Sequence, residues 1–311
     1  MKALEEYAER NKIQVTVSTG LAQNTFRFQR KITHRGLVSI IIPFKDKAEL
    51  LKLCVPSILN KTDYPNYEIL LVSNNSTKRE TAQSVAELVA LDQRVRSLEY
   101  NVPFNYSQIN NWAVTQAKGE YILMLNNDIE VISAEWLSAM LEHIQRPEVG
   151  AVGAQLLYPN NTIQHAGVIL GIGGVAGHNH KYFPADLGGY FSRLCTVQNF
   201  SAVTGACLLT KKKLFEQVSG LNAKHLGISL NDVDYCLKLR RAGYLITFTP
   251  YAKLYHHESV SRGFEDSPEK QQRFAREFAY FEHAWGKLLK QDPYYNPNLT
   301  LKAENFSLNV Y

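Results

Sequence analysis

The chain has 311 residues, 45% of them hydrophobic and 20% charged, with 18 Gly, 11 Pro and 4 Cys, a composition that excludes disordered, collagen-like and disulfide-stapled proteins. Its 34 Lys and Arg against 29 Asp and Glu leave a net charge of +5, too mild and too evenly spread to indicate a nucleic-acid partner. The length allows one large α/β domain with appendages or two modest ones, and one main domain is expected. Cys54, Cys195, Cys207 and Cys236 lie far apart with no C-x-x-C pair, so neither a zinc ribbon nor a thioredoxin-type site is suggested, and four unpaired thiols suit a reducing cytosol. The charged N-terminus shows no apolar signal core and no run of about 18 apolar residues occurs, so neither export nor a membrane span is expected.

Residues 1–37 are polar and basic, with Arg27, Arg30, Lys31 and Arg35, and read as a helical or irregular lead-in. The run Val38-Ser39-Ile40-Ile41-Ile42, closed by Pro43, is short, continuous and β-branched, the pattern of a strand buried on both faces of a parallel sheet. A helical pattern over 46–59 follows (Leu50, Leu51, Cys54, Val55, Ile58), and a turn cluster over 62–66 ends it. The unit recurs: a strand over 68–72, a helix over 77–91, a strand over 95–100, a helix over 106–117, a strand over 121–125 and a helix over 134–144. Strands alternating with helices predict right-handed βαβ crossovers and an α/β fold with a doubly wound, mostly parallel sheet. After Gly150, strand-like runs at 151–158, 168–171, 201–210 and 245–249 are separated by Gly-rich or polar loops, which predicts a mixed C-terminal half.

Ligands of open α/β sheets sit beyond the carboxyl ends of the strands, so the informative tips are Pro43-Phe44-Lys45-Asp46, Ser73-Asn74-Asn75-Ser76 and Asn126-Asn127-Asp128. The first has no glycine, which disfavours a dinucleotide. A G-x-G-x-x-A match at 171–176 has no helix or further βαβ unit after it and reads as a loop, and no P-loop occurs. Asp128 at a strand tip suits a divalent cation held against a diphosphate, or simply a turn; spacing leaves both open. Asn231-Asp232-Val233-Asp234 opens a helix in which Asn231 suits the N-cap and Asp234 the third position of a capping box, while a carboxylate facing a cleft suits a general base. Asp232 and Asp234 stand about 200° apart around a helix, so both cannot face one cleft; with Asp234 capping, Asp232 is left for chemistry. His256-His257 fit a structural, a solvated or a metal-ligating pair, and a zinc set of His178, His180 and His256 has no standard spacing.

Taken in order, 38–43, 68–72 with its Asn-Ser tip, Ala117-Lys118-Gly119-Glu120-Tyr121-Ile122 before Asn127-Asp128, and the later Asn231-Asp232-Val233-Asp234 resemble the family-2 inverting glycosyltransferases of GT-A fold. More narrowly, Gln164-His165-Ala166-Gly167, Thr204-Gly205-Ala206, Thr249-Pro250-Tyr251-Ala252, His256-His257-Glu258-Ser259-x-Ser261-Arg262-Gly263 and the stretch 292–299 (Asp-Pro-Tyr-Tyr-Asn-Pro-Asn-Leu) are similar to the bacterial branch that builds O-antigens and related rhamnose-rich surface polysaccharides. The resemblance implies a connector over 1–35, as in longer multi-domain members, a GT-A domain over 36–265, and a C-terminal helix and tail over 266–311 packed on that domain.

The resemblance also implies roles. Pro43, Phe44 and Asp46 line the nucleotide pocket, Asn74 meets the pyrimidine edge, and Asn111 lies near the nucleotide. Asn126-Asn127-Asp128 stands for the D-x-D metal motif with only Asp128 keeping the carboxylate, so that Mn²⁺ or Mg²⁺ is held by Asp128 and His256, with His257 the substitute. Asp232 is the catalytic base. His165, Thr204, Gly205 and Ala206 form the wall beside donor sugar and acceptor. The implied reaction is a single in-line displacement from a nucleoside-diphosphate sugar, dTDP-rhamnose or a UDP-sugar, to a lipid-linked glycan acceptor. The implied place is the cytoplasm, in peripheral contact with the inner face of the cell membrane, within a multi-domain or multi-enzyme synthase and without a nucleic-acid partner. A nucleotidyltransferase would need a Gly-rich basic loop after the first strand, which is absent; an inactive nucleotide-sugar-binding scaffold is the alternative suggested by Ser73 and Asn126 standing where acids are usual.

Overall fold

In the computed structural model, which describes residues 1–257 and 267–309, the lead-in is a helix α1 (Lys2–Arg10) and a hairpin, β1 (Val15–Thr19) and β2 (Phe26–Arg30). The alternating region follows as β3 (Val38–Phe44), α2 (Ala48–Lys61), β4 (Tyr67–Ser73), α3 (Arg79–Leu91), β5 (Val95–Glu99), α4 (Tyr106–Gln116) and β6 (Tyr121–Leu125). β3 pairs in parallel with β4 and β6, and β4 with β5. Alternate side chains of β3 enter two different cores: Ile40 and Ile42 pack with Leu51, Val55 and Ile58 of α2, whereas Ile41 packs with Ile109 and Ala113 of α4. Burial on both faces is why the run is continuously apolar.

The second half contributes β7 (Ile129–Val131), α5 (Trp136–Ile144), β8 (Val149–Leu157), β9 (Ile163–His165), β10 (Val168–Leu170), β11 (Ala176–His178), β12 (Gln198–Phe200), β13 (Cys207–Lys211), α6 (Lys212–Gln217), α7 (Asn231–Arg241), β14 (Leu245–His256) and α8 (Pro268–Leu289). One sheet runs β12-β14-β8-β13-β6-β3-β4-β5, with β7 added on β14 and β9 on β8. β13 is antiparallel to both of its neighbours, β6 and β8, so the mixed half is continuous with the parallel one. The match at 171–176 is the connection of the antiparallel hairpin β10–β11, with no helix behind it.

Two expected strands differ from the structure. The run 201–210 is a strand only from Cys207, because Val203 turns over Gly153, where a Cβ would stand 2.5 Å from that of Val203. The strand at 245–249 instead continues to His256. A register shift against β8 between Thr249 and Lys253 loops Pro250 out of the ladder, where its missing N–H costs nothing. The capping expectation at α7 also fails. Its N-cap is Leu230 at φ 60 with no side-chain cap, Asn231 Nδ2 donates to the Ile228 carbonyl, and Asp234 Oδ1 accepts from Trp285 Nε1 of α8 at 2.9 Å.

The lead-in hairpin docks on α5. Arg27 makes a two-pronged bond to Glu135 at 3.1 and 2.8 Å and lies over the Tyr251 ring, while Arg30 N donates to the buried Glu142 at 2.8 Å. At the other end, Phe281, Trp285 and Leu289 of α8 enter the core shared with α4 and α7. Cys54, Cys207 and Cys236 are buried free thiols. Among the described residues no helix is long and apolar enough to cross a membrane.

Candidate active site

Three strand ends of the parallel half converge. The β3–β6 ladder stops at Ile41–Met124, so Pro43 forfeits no bond on that side, and the Phe44 carbonyl accepts from Asn74 N at 2.9 Å. Asp46 turns the chain at φ 52, and its Oδ1 accepts from Lys78 N and Thr77 N, both at 3.0 Å. The Lys78 bond is the largest of the effects that hold this carboxyl below its ordinary range. Asp46 therefore caps α3 and ties the tips of β3 and β4 together.

Asn74 is 2% exposed. Its Nδ2 donates to the carbonyls of Tyr100 at 2.8 Å and Val102 at 2.9 Å, which sets the amide one way round and leaves Oδ1 buried without a partner among the described residues. A buried acceptor left unpaired is costly, and a ligand N–H would relieve it. Beside it Tyr100 stacks on Trp112 at 4.4 Å between centroids.

At the tip of β6, Asn126 N donates to Ala206 O at 3.1 Å, Asn127 is buried, and the equally buried Asp128 stands with its Oδ1 3.2 Å from His256 Nε2. Asn126 Nδ2 lies 3.4 Å from the same nitrogen. The β7–β14 register sets His256 opposite Ile129; the next residue faces away, and His257 Nε2 meets Glu130 Oε2 at 3.3 Å. His256 is thus the histidine that faces Asp128. The residues that follow in that motif, 258–263, lie outside the described residues.

Among the described residues no three His, Cys, Asp or Glu side chains cluster. A hard cation bound with substrate phosphates needs only one or two protein ligands, since phosphate oxygens and waters complete its shell. Asp128 and His256 fit that requirement, and His256 Nδ1 is buried with no partner among the described residues. The zinc set does not form: His180 Nε2 accepts from Tyr190 N at 2.8 Å and its Nδ1 meets Asn179 Oδ1 at 2.6 Å, while His178 Nδ1 meets His165 Nδ1 at 2.8 Å.

The turn Thr204-Gly205-Ala206 before β13 is a hub. Gly205 N donates to Asp232 Oδ2 at 2.8 Å, Gly205 O accepts from Tyr106 Oη at 3.2 Å, and Ala206 O holds Asn126. Asp232 is half-buried, and its Oδ1 accepts from Val233 N at 2.8 Å. His165 is fully buried. Its Nε2 accepts from Gly167 N at 3.3 Å and Thr204 N at 3.4 Å, which places its proton on Nδ1, toward His178. Burial first, then the neighbouring His178 and His256, holds its pKa well below the ordinary value. His165 supports the turn at 204–206 from behind.

Asn111 spends its amide on one residue, donating to Leu221 O and accepting from Leu221 N, both at 2.8 Å. It tethers α4 to the loop that leads to Asp232, as do Asn105, donating to Ala223 O, and Ser107, donating to Leu226 O. On the far side of that loop stands Glu277, which the sequence reading passes over although its signal is present. It shares an i, i+4, i+8, i+12 stripe of α8 with Phe281, Trp285 and Leu289, a carboxylate on an otherwise apolar face.

A match to glycosyl transferase family 2 runs over residues 39–218, and the chain belongs to that family. The mannosyltransferase of Pyrobaculum calidifontis, solved with GDP-mannose and Mn²⁺, superposes with a TM-score of 0.59 at 19% identity over 88% of this chain and 69% of its own, and the sheet is that of the GT-A fold. The O-antigen biosynthesis protein RfbC of Myxococcus xanthus is 40% identical over 99% of this chain, which covers 24% of that protein. An N-acetylglucosaminyl-diphospho-decaprenol L-rhamnosyltransferase of Mycobacterium tuberculosis is 34% identical over 61 residues, 20% of each chain. The chain spans 34% and 24% of the lengths of the two curated relatives that it matches along 99% of its own length.

Proposed function

We propose that this chain is the transferase domain of an inverting glycosyltransferase that moves a sugar from a uridine or thymidine diphosphate donor to a hydroxyl of a growing surface polysaccharide. The observation that carries the reading is the turn at 204–206, which binds the carboxylate of Asp232 through Gly205 N and the Asn126–Asp128 segment through Ala206 O. One three-residue turn thereby sets a base against the residues suited to a diphosphate.

Asn74 Oδ1 would accept from N3–H of uracil or thymine, the partner that its orphaned state lacks. Asp232 would take the proton of the acceptor hydroxyl as that oxygen attacks C1 of the donor sugar. The new C1–O bond forms on the face opposite the leaving group, the C1–O bond to the diphosphate breaks, and the anomeric configuration inverts. Asp128 and His256 would hold Mn²⁺ or Mg²⁺, whose charge, when bound, stabilises the departing diphosphate. The donor proposed is dTDP-rhamnose; transfer of rhamnose to a lipid-linked acceptor draws support from the name of the mycobacterial relative, and O-antigen assembly from that of RfbC. With such an acceptor the domain works on the cytoplasmic face of the membrane as part of a longer synthase.

The test is a thermal-shift series with UDP-, dTDP- and GDP-sugars, each with and without Mn²⁺, because a ligand that binds only the folded state raises its apparent stability. A Mn²⁺-dependent shift with UDP- or dTDP-sugars and none with GDP-sugars is expected; no shift with any of them would overturn the reading.

A further inference from the structure

We propose that Glu277 is a positioning residue for Asp232: from α8 it sets the turn on which the base is presented. The inference rests on the reading of Asp232 as the base.

Helix α7 begins without a side-chain bond from its N-cap residue, and its own contribution to the entry turn is the Asn231 Nδ2 bond to the Ile228 carbonyl. Its N-cap, Leu230, is left-handed at φ 60 and supplies no side-chain bond, although helix starts usually recruit a Ser, Thr, Asp or Asn for that purpose. A leucine held in this region of backbone space needs its surroundings to hold it there. Those surroundings are Glu277, whose Oε1 accepts from Ile228 N at 2.8 Å and whose Oε2 accepts from Ser229 N at 3.2 Å. These are the two residues immediately before Leu230. Glu277 is 5% exposed, and Arg273, one turn earlier on α8, approaches its Oε2 at 3.4 Å.

Two further contacts make α8 a clamp. Tyr280 stacks flat on His225 at 4.3 Å between centroids, and Trp285 pins Asp234 in the first turn of α7. Asp232 lies between the points held, 228–229 on one side and 234 on the other. With α8 fixing the direction of entry, the carboxylate arrives at Gly205 N, 2.8 Å away. α4 and its N-cap Asn105 hold the same loop from its opposite side through Asn105, Ser107 and Asn111, but among the described residues no hydrogen bond from α4 falls within 228–230.

The test uses amide hydrogen exchange and kinetics on Glu277→Ala and Glu277→Gln in the full chain. In Glu277→Ala, exchange is expected to accelerate at Ile228 and Ser229 and also at Gly205, whose N–H reports directly on the Asp232 carboxylate, while Leu123 in the centre of the sheet stays protected. Affinity for UDP or dTDP with Mn²⁺ is expected to be unchanged. Turnover with dTDP-rhamnose and an N-acetylglucosaminyl diphospholipid is expected to fall on the order of 10²-fold, the cost of displacing a reacting group by about 1 Å. Glu277→Gln keeps one acceptor oxygen and recovers part of both signals, and it serves if the alanine variant fails to fold. Unchanged exchange at Gly205, or unchanged turnover with that exchange accelerated, overturns the proposal. Failure of the base reading itself shows separately, as wild-type turnover in Asp232→Asn, while the Gly205 exchange arm needs no substrate.

Discussion

The two halves of the sheet reach the same cleft by different means. On the side of β3, β4 and β6, the candidate residues stand in the last two positions of a strand or within three residues after it, and β3 is the parallel neighbour of both β4 and β6, so the frame and the site are built together. On the side of β13 and α7, Asp232 is brought in by backbone bonds from distant parts of the chain: Gly205 in front, Ile228 and Ser229 held by Glu277 behind. The first half carries its polar side chains on the strand ends themselves, whereas the second presents a carboxylate on a loop that other elements must hold. Damage to the first should therefore register as lost donor affinity, and damage to the second as lost turnover.

The largest expected effect tests that division most directly. Asp232→Asn is expected to lower transfer by on the order of 10²–10⁴-fold while calorimetric affinity for UDP or dTDP with Mn²⁺ stays at the wild-type value; a variant that turns over normally would break the comparison at its centre. Asn74→Ala should do the reverse. It is expected to cost about 1–3 kcal/mol of pyrimidine nucleotide binding, the scale of a buried polar group left unpaired, with residual turnover at saturating donor. Asn74→Asp sets a carboxylate against the Tyr100 and Val102 carbonyls that the amide now serves, so a lowered melting temperature is expected. Asp128→Ala is expected to weaken nucleotide binding in Mn²⁺ by about tenfold, near 1.4 kcal/mol, and to leave binding in chelator unchanged; calorimetry in both buffers decides.

The smallest effect on the site concerns the face of the second half that carries the lead-in hairpin, where stability alone responds. Burial raises Glu142 from its ordinary 4.5 to about 7 against the opposing attraction of Arg27. The folded state then keeps a proton that the unfolded chain releases, so stability falls as pH rises from about 4.5 to about 7 and is flat above that window. The loss is at most about 3 kcal/mol. Urea midpoints at pH 5 and pH 8 should differ in that direction for the wild type and far less for Glu142→Gln, with nucleotide affinity the same in both proteins.

The parallel half was legible because burial on both faces writes itself as continuous apolar runs, and the rule that ligands gather beyond strand ends then points to Asp46, Asn74 and Asp128. The second half was not legible to the same depth. The run 201–210 reads as one strand, yet the chain turns where Val203 packs over Gly153. Pro250 reads as the end of a strand, while a register shift carries the strand past it to His256. The choice between His256 and His257 depends on the register against β7, and the partner of Asp234 is a tryptophan 51 residues away. Asn111 carries an amide whose use no local pattern foretells, since Leu221 becomes its neighbour only when the loop folds back on α4.

The place of β13 has a consequence for how the chain is made. β6 and β8 never pair with each other; β13 is threaded between them and emerges from the ribosome about 80 residues after β6, at a few to twenty residues per second. Until then Tyr121–Leu125, fully buried in the finished sheet, is an uncovered apolar edge, the kind of template that recruits other chains. Nascent chains stalled before residue 207 should therefore aggregate or occupy chaperones, whereas chains that carry residue 211 past the exit tunnel should close the sheet and escape.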